Sequence, residues 1–351
     1  MRVLVAMSGG VDSSVAAARV VAAGHTAVGV TLRLWGGESD SGCCSVADVE
    51  DARRAAHRLG IDHLVFNLAD DFSRHVVGPY VEAHAAGRTP NPCIECNRHL
   101  KFDRLAERAA ALGFDALATG HHAQVVRDAA GRLRVGRGAD RAKDQSYVVH
   151  VLDAAALART QFPIGHLTKA EVRAEAARLG LPTATKPDSQ DVCFITSTGG
   201  RRAFLGARIP LRPAEVVTAD GTPVGRVDAV ELVTIGQRRG LGLPGGGEQR
   251  YVVAVHPDEG RVVVGSGRDL HTDAVRLERP VWPDGEALPA GTVVRAQVSA
   301  HGAARPAVVE AADAAGLVLR WVEPQRRVAP GQSVVLYDTD DTVVLGAGLC
   351  A

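Results

Sequence analysis

The chain has 351 residues, 40 Lys and Arg against 40 Asp and Glu, 46% hydrophobic and 23% charged. That length accommodates two or three domains with sizeable cores, and the composition is that of a folded globular protein, not a disordered or fibrous one. Net neutrality excludes indiscriminate charge-driven RNA binding, but local basic clusters at Arg137 to Lys143, Arg201–Arg202, Arg238–Arg239 and Arg326–Arg327 leave room for a docking stripe.

In chain order, RVLVAM (Arg2 to Met7) reads as a buried strand rather than a signal peptide. A Gly/Ser loop follows, then an Ala/Val-rich helix ending near Gly24 and a second strand, HTAVGVTLRL. A helix from Asp48 to Gly60, a strand HLVFNL and a helix over Phe72 to Ala86 come next. TPNPCIECN (Thr89 to Asn97) is expected to be an irregular loop because of its prolines, with a helix from Arg98 to Leu112 and a strand DALATG beyond it. LTKAEVRAEAARLGLP is a capped helix, with Thr168 as N-cap, Glu171 closing the capping box, and Gly180 and Pro182 ending it. Strands interleaved with helices imply a parallel sheet covered on both faces, with functional loops at the carboxyl ends of its strands.

Beyond about residue 210, short β-branched runs take over: ELVTI, YVVAV, RVVVGS, TVVRAQV, AVVEAA, LVLRWV, SVVLYD and TVVLGAG. They predict antiparallel β domains ending in a small barrel. The expected organisation is an α/β catalytic domain over 1–200, a small β-rich domain over 201–268 and a β-barrel over 269–351. Six cysteines, two of them adjacent (Cys43, Cys44), do not make a short secreted framework, and no apolar run has membrane length, so a cytoplasmic protein is expected.

Chemistry concentrates in a few strings. SGGVDSS (Ser8 to Ser14) lies between a strand and a helix, where glycines admit close backbone approach and successive N–H groups cradle an anion. Neither G-x-x-x-x-G-K-[ST] nor G-x-G-x-x-G is present. ATGHH ends a strand, KDQSY is a polar cluster, and TIGQRRGLGLP is a Gly-bracketed basic loop. Cys93 and Cys96 form a C-x-x-C pair compatible with zinc, redox or cluster chemistry, and Cys193 precedes the apolar pair Phe194–Ile195. CCS (Cys43 to Ser45) begins the helix that follows it.

SGGVDS after an initial strand resembles the pyrophosphate loop of the ATP pyrophosphatases. The order of SGGVDSS, CCS, GRTPNPC-x-x-CN, ATGHH, KDQSY, FPIGHLTKAEVR, SQDVCFI, TIGQRRGLG and PGQSVVLY resembles the tRNA 2-thiouridylases over essentially the whole chain. That resemblance implies a sulfurtransferase that adenylates O2 of the wobble uridine (position 34) with ATP and Mg²⁺, then replaces it with sulfur from a cysteine persulfide. It implies ATP contacts from Ala6, Met7, Ser8, Gly9, Gly10, Val11, Asp12, Ser13, Leu32 and Gly120, with Asp12 placing Mg²⁺. Cys193 would carry the persulfide and Cys96 would be its partner. Asn91, Pro92, Cys93, His121, Lys143, Asp144, Gln145, His301, Gly302 and Gln332 fall at positions that meet the target base or tRNA. The implied partners are the tRNAs for Lys, Glu and Gln and a sulfur-donor protein, either a desulfurase or a relay carrier, with no membrane.

Three positions depart from the family pattern. Cys93 stands where many relatives have Asp, the glycine–histidine–glycine pattern before TIGQR reads Gly225, Val227, Ala229, and His301–Gly302 replace an Arg-Tyr pair. Cys93, Cys96 and Cys193 could also supply three thiolates to a [4Fe–4S] cluster. An amidating ATP pyrophosphatase would need no paired thiols, and a non-catalytic tRNA-binding module would need no SGGVDS loop.

Overall fold

The computed structural model describes residues 1–34, 45–188, 192–196, 199–243 and 248–351, the side chains of Cys193 and Thr196 excepted. Cys43, Cys44, the SQD of SQDVCFI and the final proline of TIGQRRGLGLP lie outside the described residues.

Strands β1 (Arg2–Ala6), β2 (Thr26–Arg33), β3 (Asp62–Asn67), β4 (Ala116–Thr119), the hairpin β5 (Ala123–Arg127) and β6 (Leu133–Arg137), and β7 (Thr160–Gln161) belong to the first half. Five of them make a parallel sheet in the order β3-β2-β1-β4-β7. Val3, Leu4 and Val5 of β1 are fully buried, as expected for a strand covered on both faces. The chain leaves β1 toward β2 on one side, while β4 lies on the other, so the strand order reverses between β1 and β4. Their register, Ala6 opposite Thr119, places the SGGVDSS loop beside ATGHH at adjacent carboxyl ends. A crevice at such a switch point is where open α/β sheets bind ligands.

Helix α1 (Val11–Ala22) buries Val11, Ser13, Ser14, Val15, Ala16, Ala17, Ala18 and Val20, nearly its full circumference, which its Ala/Val composition permits. Helix α2 (Val46–Arg58) is capped by Ser45, whose Oγ accepts from Asp48 N at 3.1 Å, and buries the Ala52, Ala55, Ala56 stripe.

TPNPCIECN is irregular only over 89–91. Pro92 occupies the first turn of a helix, Pro92–Glu95, where a missing N–H costs nothing, and Asn91 Oδ1 caps it by accepting from Cys93 N at 3.0 Å. The helix runs straight on into a π-helix, Cys96–Arg104, so the helix expected from Arg98 begins earlier. ELVTI forms no strand: its first two residues close a tight 3₁₀ turn, Val230–Leu232. Its Glu231 is drawn inward by Arg212, whose N and Nε donate at 3.0 and 2.8 Å.

The second half contains a four-stranded sheet, β8 (Ala214–Thr218), β9 (Pro223–Val227), β10 (Tyr251–His256) and β11 (Arg261–Gly265). A closed antiparallel barrel follows, built of β12 (His271–Val281), β13 (Val293–Gln297), β14 (Arg305–Ala312), β15 (Gly316–Arg326), β16 (Ser333–Tyr337) and β17 (Val344–Cys350). Closure removes the free strand edges. The barrel is docked onto the first half: Ile94, Tyr147 and Phe162 share one apolar cluster with Val335, Tyr337, Val344 and Ala347. Arg137 joins them, donating to Asp144 (2.8 Å), Gln297 (2.6 Å) and Asp341 (2.5 Å) with its guanidinium 3.5 Å from the Tyr337 ring centre. No helix among the described residues is long and apolar enough to cross a membrane.

Two buried histidines make this architecture pH-sensitive. Burial pushes His84, whose Nδ1 lies 3.2 Å from Glu231 O, and His150 down to about 4. The folded state keeps both neutral while the unfolded chain protonates below pH about 6.5, so their contribution is full above that pH and is lost as pH falls toward 4. A pH shift from 7.5 to 4.5 is expected to remove roughly 2–3 kcal/mol per histidine. Denaturant midpoints measured across that range should fall; a flat profile would contradict the assignment.

Candidate nucleotide and sulfur-transfer site

The turn after β1 is held by its own serines. Ser13 Oγ accepts from Ser8 N at 3.1 Å and donates to Gly10 O at 3.1 Å, and Ser14 Oγ donates to Gly10 O at 2.9 Å. Gly9 has φ +73°, and a Cβ there would lie 2.2 Å from Asp48 O. Only glycine fits both the left-handed backbone and that approach. At Gly120 a Cβ would fall 2.6 Å from Ser13 N. Ala6, Met7, Ser8, Gly10, Val11 and Leu32 surround the same turn or the β2 end beside it, Leu32 within the main core. The cradle therefore offers N–H groups, the N-terminal end of α1 and no side-chain bulk, which suits a phosphate chain. Gly120→Ala is expected to push β4 off the first turn of α1, weakening ATP binding about tenfold or more and costing about 1–3 kcal/mol of stability. ATP titration and thermal unfolding read both; unchanged ATP affinity would contradict the tight packing assigned to this glycine.

Asp12 is the acidic group of this loop. Both of its oxygens lie 2.7 Å from Lys169 Nζ, and His122 Nε2 lies 3.3 Å from Oδ1. Burial alone would raise its carboxyl, but the hydrogen bonds from His122 and Lys169 outweigh burial and hold it below the usual carboxylate range. An ionised, part-exposed carboxylate beside a phosphate cradle is the oxygen donor that Mg²⁺ takes together with nucleotide phosphates, so the residues fit that ion.

His122 was not singled out in the ATGHH string, yet it, and not His121, reaches Asp12. Its N–H donates to Gln145 Oε1 at 2.9 Å, Gln145 N returns a bond to His122 O at 2.8 Å, and Nδ1 is buried without a partner among the described residues. His121 is packed against Phe102 and Phe162, with Nδ1 2.7 Å from Thr119 Oγ1, and burial holds it well below its usual value and neutral.

The KDQ string is partly internal scaffolding. Asp144 is buried against Arg137 and accepts from Gly138 N at 2.7 Å, while Lys143 is exposed and paired with Asp188 at 2.8 Å. Lys169 was also missed, although its sequence carries a signal. It is the first residue of the helix Lys169–Arg178, a cation at the positive end of a helix dipole, and so is out of place for helix stability.

The cysteines come from two directions. Cys93 and Cys96 are both half-buried, one on the helix Pro92–Glu95 and one opening the π-helix. π-Helical turns are frequent at functional sites. Gln332 Nε2 donates to Thr89 O, and Thr89 N donates to Pro330 O at 2.8 Å, so the barrel braces the approach to this pair. Cys193 opens the four-residue helix Cys193–Thr196. Phe194 is anchored by Phe72, Tyr80 and Phe204, with ring centres 5.5, 5.7 and 5.0 Å away. Cys96 packs against the extended apolar cluster that also contains Phe194 and Ile195. Val192, immediately before Cys193, has φ +55°, a left-handed conformation that a β-branched residue rarely adopts. Among the described residues no group of three or more His, Cys, Asp or Glu side chains is placed to hold a metal ion; the Cys193 thiol is not among those residues. His301 is exposed and Gly302 N donates to Ser299 O at 3.1 Å, both on the barrel surface away from the cysteine helices in sequence.

Three family models match consecutive parts of the chain. They are a tRNA methyl transferase HUP domain over 1–197, a tRNA methyl transferase PRC-barrel domain over 202–266 and an aminomethyltransferase β-barrel domain over 272–350. The chain is 52% identical over 360 residues, 99% of its length and 97% of the relative's, to the tRNA-specific 2-thiouridylase MnmA of Rhodococcus jostii. It is 50% identical to that of Mycolicibacterium smegmatis, covering 99% of each. The model descriptions speak of methyl transfer and the relatives' names of thiolation; half-identity along the full length is the more specific of the two. Among solved structures, a 4-thiouridine synthetase–RNA complex with bound ATP is 19% identical with a TM-score of 0.37, over 57% of this chain and 46% of that one.

Proposed function

The chain belongs to the tRNA-specific 2-thiouridylase family, an ATP-dependent group of tRNA uridine sulfurtransferases, and from that premise we propose how its residues divide the reaction. The target is O2 of the wobble uridine in the tRNAs for Lys, Glu and Gln. The uracil oxygen is a poor leaving group, so it first attacks the α-phosphate of ATP, expelling pyrophosphate and becoming an adenylate. The phosphate loop, the N-terminus of α1 and Ser8 and Ser13 hold the phosphate chain in line for that attack. Asp12 would hold Mg²⁺, which supplies charge neutralisation for the departing pyrophosphate.

In the second stage Cys193 carries a persulfide received from a sulfur-donor protein. The Cys96 thiolate attacks the inner sulfur of that persulfide, the S–S bond breaks, and the freed sulfur adds to C2. AMP then departs with the former O2. A Cys96–Cys193 disulfide remains and needs two electrons from an external dithiol before the next cycle. Splitting one difficult substitution into two easier ones is the logic of covalent catalysis.

The observation that carries this reading is the phosphate loop, where a Cβ at Gly9 or Gly120 would collide with backbone, in a chain whose Cys96 packs against the apolar cluster that also contains Phe194, the neighbour of Cys193. Nucleoside analysis of tRNA from a strain lacking this chain tests it: 2-thiouridine should disappear and return on complementation, and unchanged levels would sink the proposal. A cluster held by Cys93, Cys96 and Cys193 is the alternative for sulfur delivery, and iron and sulfide analysis after anaerobic purification distinguishes it.

A further inference from the structure

His122 reaches Asp12 yet takes no step in adenylation or sulfur transfer. Its backbone is clamped by Gln145: His122 N donates to Gln145 Oε1 at 2.9 Å, and Gln145 N donates to His122 O at 2.8 Å. Gly138 packs against the same carbonyl, where a Cβ would lie 2.5 Å from His122 O. The residue is only 2% exposed, so the direction of its ring is set by the fold. Packing alone is a poor account of an imidazole here. Nδ1 is buried without a partner among the described residues, an arrangement that costs stability and that an apolar ring would avoid. The other nitrogen, Nε2, lies 3.3 Å from Asp12 Oδ1. An ionised carboxylate only accepts, so Nε2 carries the hydrogen.

Such a carboxylate offers about four lone-pair sites, shared equally between its oxygens. Lys169 Nζ, 2.7 Å from both oxygens, takes one on each. His122 takes the second on Oδ1, and Oδ2 keeps one open. The ammonium can follow both oxygens as the carboxylate turns about its broad χ2 torsion. A donor held on one oxygen by a fixed backbone stops that turn. The open site on Oδ2 then keeps one direction, in the first turn of α1 next to the phosphate loop.

We propose that His122 is a positioning residue for the metal: by holding Oδ1 it leaves Asp12 a single oxygen, Oδ2, with which to take the divalent cation that accompanies ATP. The proposal rests on the assignment of Asp12 to Mg²⁺ made above, and concerns which oxygen serves and what fixes it.

The test is isothermal titration calorimetry of α,β-methylene-ATP into the full chain without tRNA, once with excess Mg²⁺ and once with EDTA. The ratio of the two affinities reads the metal's share of binding, and the metal-free affinity reads the integrity of the loop. His122→Phe keeps a ring but removes both the donor and the unpaired nitrogen. It is expected to lower the ratio about tenfold or more while the metal-free affinity stays near wild type. His122→Gln, whose amide nitrogen can reach the place of Nε2, should restore most of the ratio. His122→Asn, one carbon shorter, should not. An unchanged or raised ratio in His122→Phe, equal losses with and without Mg²⁺, or a His122→Gln ratio no better than that of His122→Asn would each overturn the proposal. Should His122→Phe fail to fold, the comparison of His122→Gln with His122→Asn decides alone. Asp12→Asn separates the two levels. If it keeps the wild-type ratio, Asp12 does not hold the metal and both readings fall; if it loses the ratio while His122→Phe does not, only the role of His122 fails.

Discussion

Cys193→Ser is expected to lower 2-thiouridine formation by about 10³-fold or more while leaving tRNA-dependent pyrophosphate release near the wild-type rate. The split follows from the division of labour. In the proposed division adenylation uses the phosphate loop and Asp12, while sulfur transfer uses the thiols of Cys96 and Cys193. Sulfur transfer needs a sulfur atom that serine cannot carry. Cys96→Ser should show the same split with one difference: persulfide on Cys193 accumulates, because nothing frees its outer sulfur. Peptide mass spectrometry after loading with a sulfur donor reads the distinction. Thiolation retained by Cys193→Ser would place the carrier sulfur on another cysteine.

Asp12→Asn is expected to reduce pyrophosphate release itself, by about 10²–10³-fold, and thiolation with it. The amide is nearly isosteric and can still accept from Lys169 and His122, so the fold and the loop should survive. What is lost is the negative charge that those two groups stabilise and that a metal ion would use. Excess Mg²⁺ should recover part of the rate if the loss is one of metal affinity. Normal pyrophosphate release in a folded Asp12→Asn would remove Asp12 from the first chemical step.

How much of this was legible beforehand varies by residue type. The parallel sheet followed from apolar runs alternating with helical periodicity, and the Thr168–Glu171 capping box was readable to the residue. The antiparallel end was recognisable as β-rich, but ELVTI misled because its Glu231 is buried by a partner, Arg212, that no local pattern shows. Pro-rich TPNPC suggested an irregular loop, whereas one proline sat where helices tolerate it. In the site, the glycine loop was legible because its chemistry is carried by the backbone and its residues are contiguous. His122, Lys169, Asp188 and Arg137 were not, since each acts through a partner far away in sequence, Lys169 on Asp12 above all. Asp144 and Gln332, which the resemblance aligns with tRNA-meeting positions, also brace the fold from within, one on Arg137 and one on Thr89, through partners no local pattern shows.

The most direct measurement is a single turnover. The purified chain, freed of metal by chelation, loaded with persulfide and then mixed anaerobically with unmodified tRNA, Mg²⁺ and ATP, should form up to one 2-thiouridine per enzyme at the wobble position. Each sulfur transferred should be matched by one AMP, one pyrophosphate and one Cys96–Cys193 disulfide. Formation of 2-thiouridine only after iron and sulfide are restored, or without that disulfide, would contradict the persulfide account.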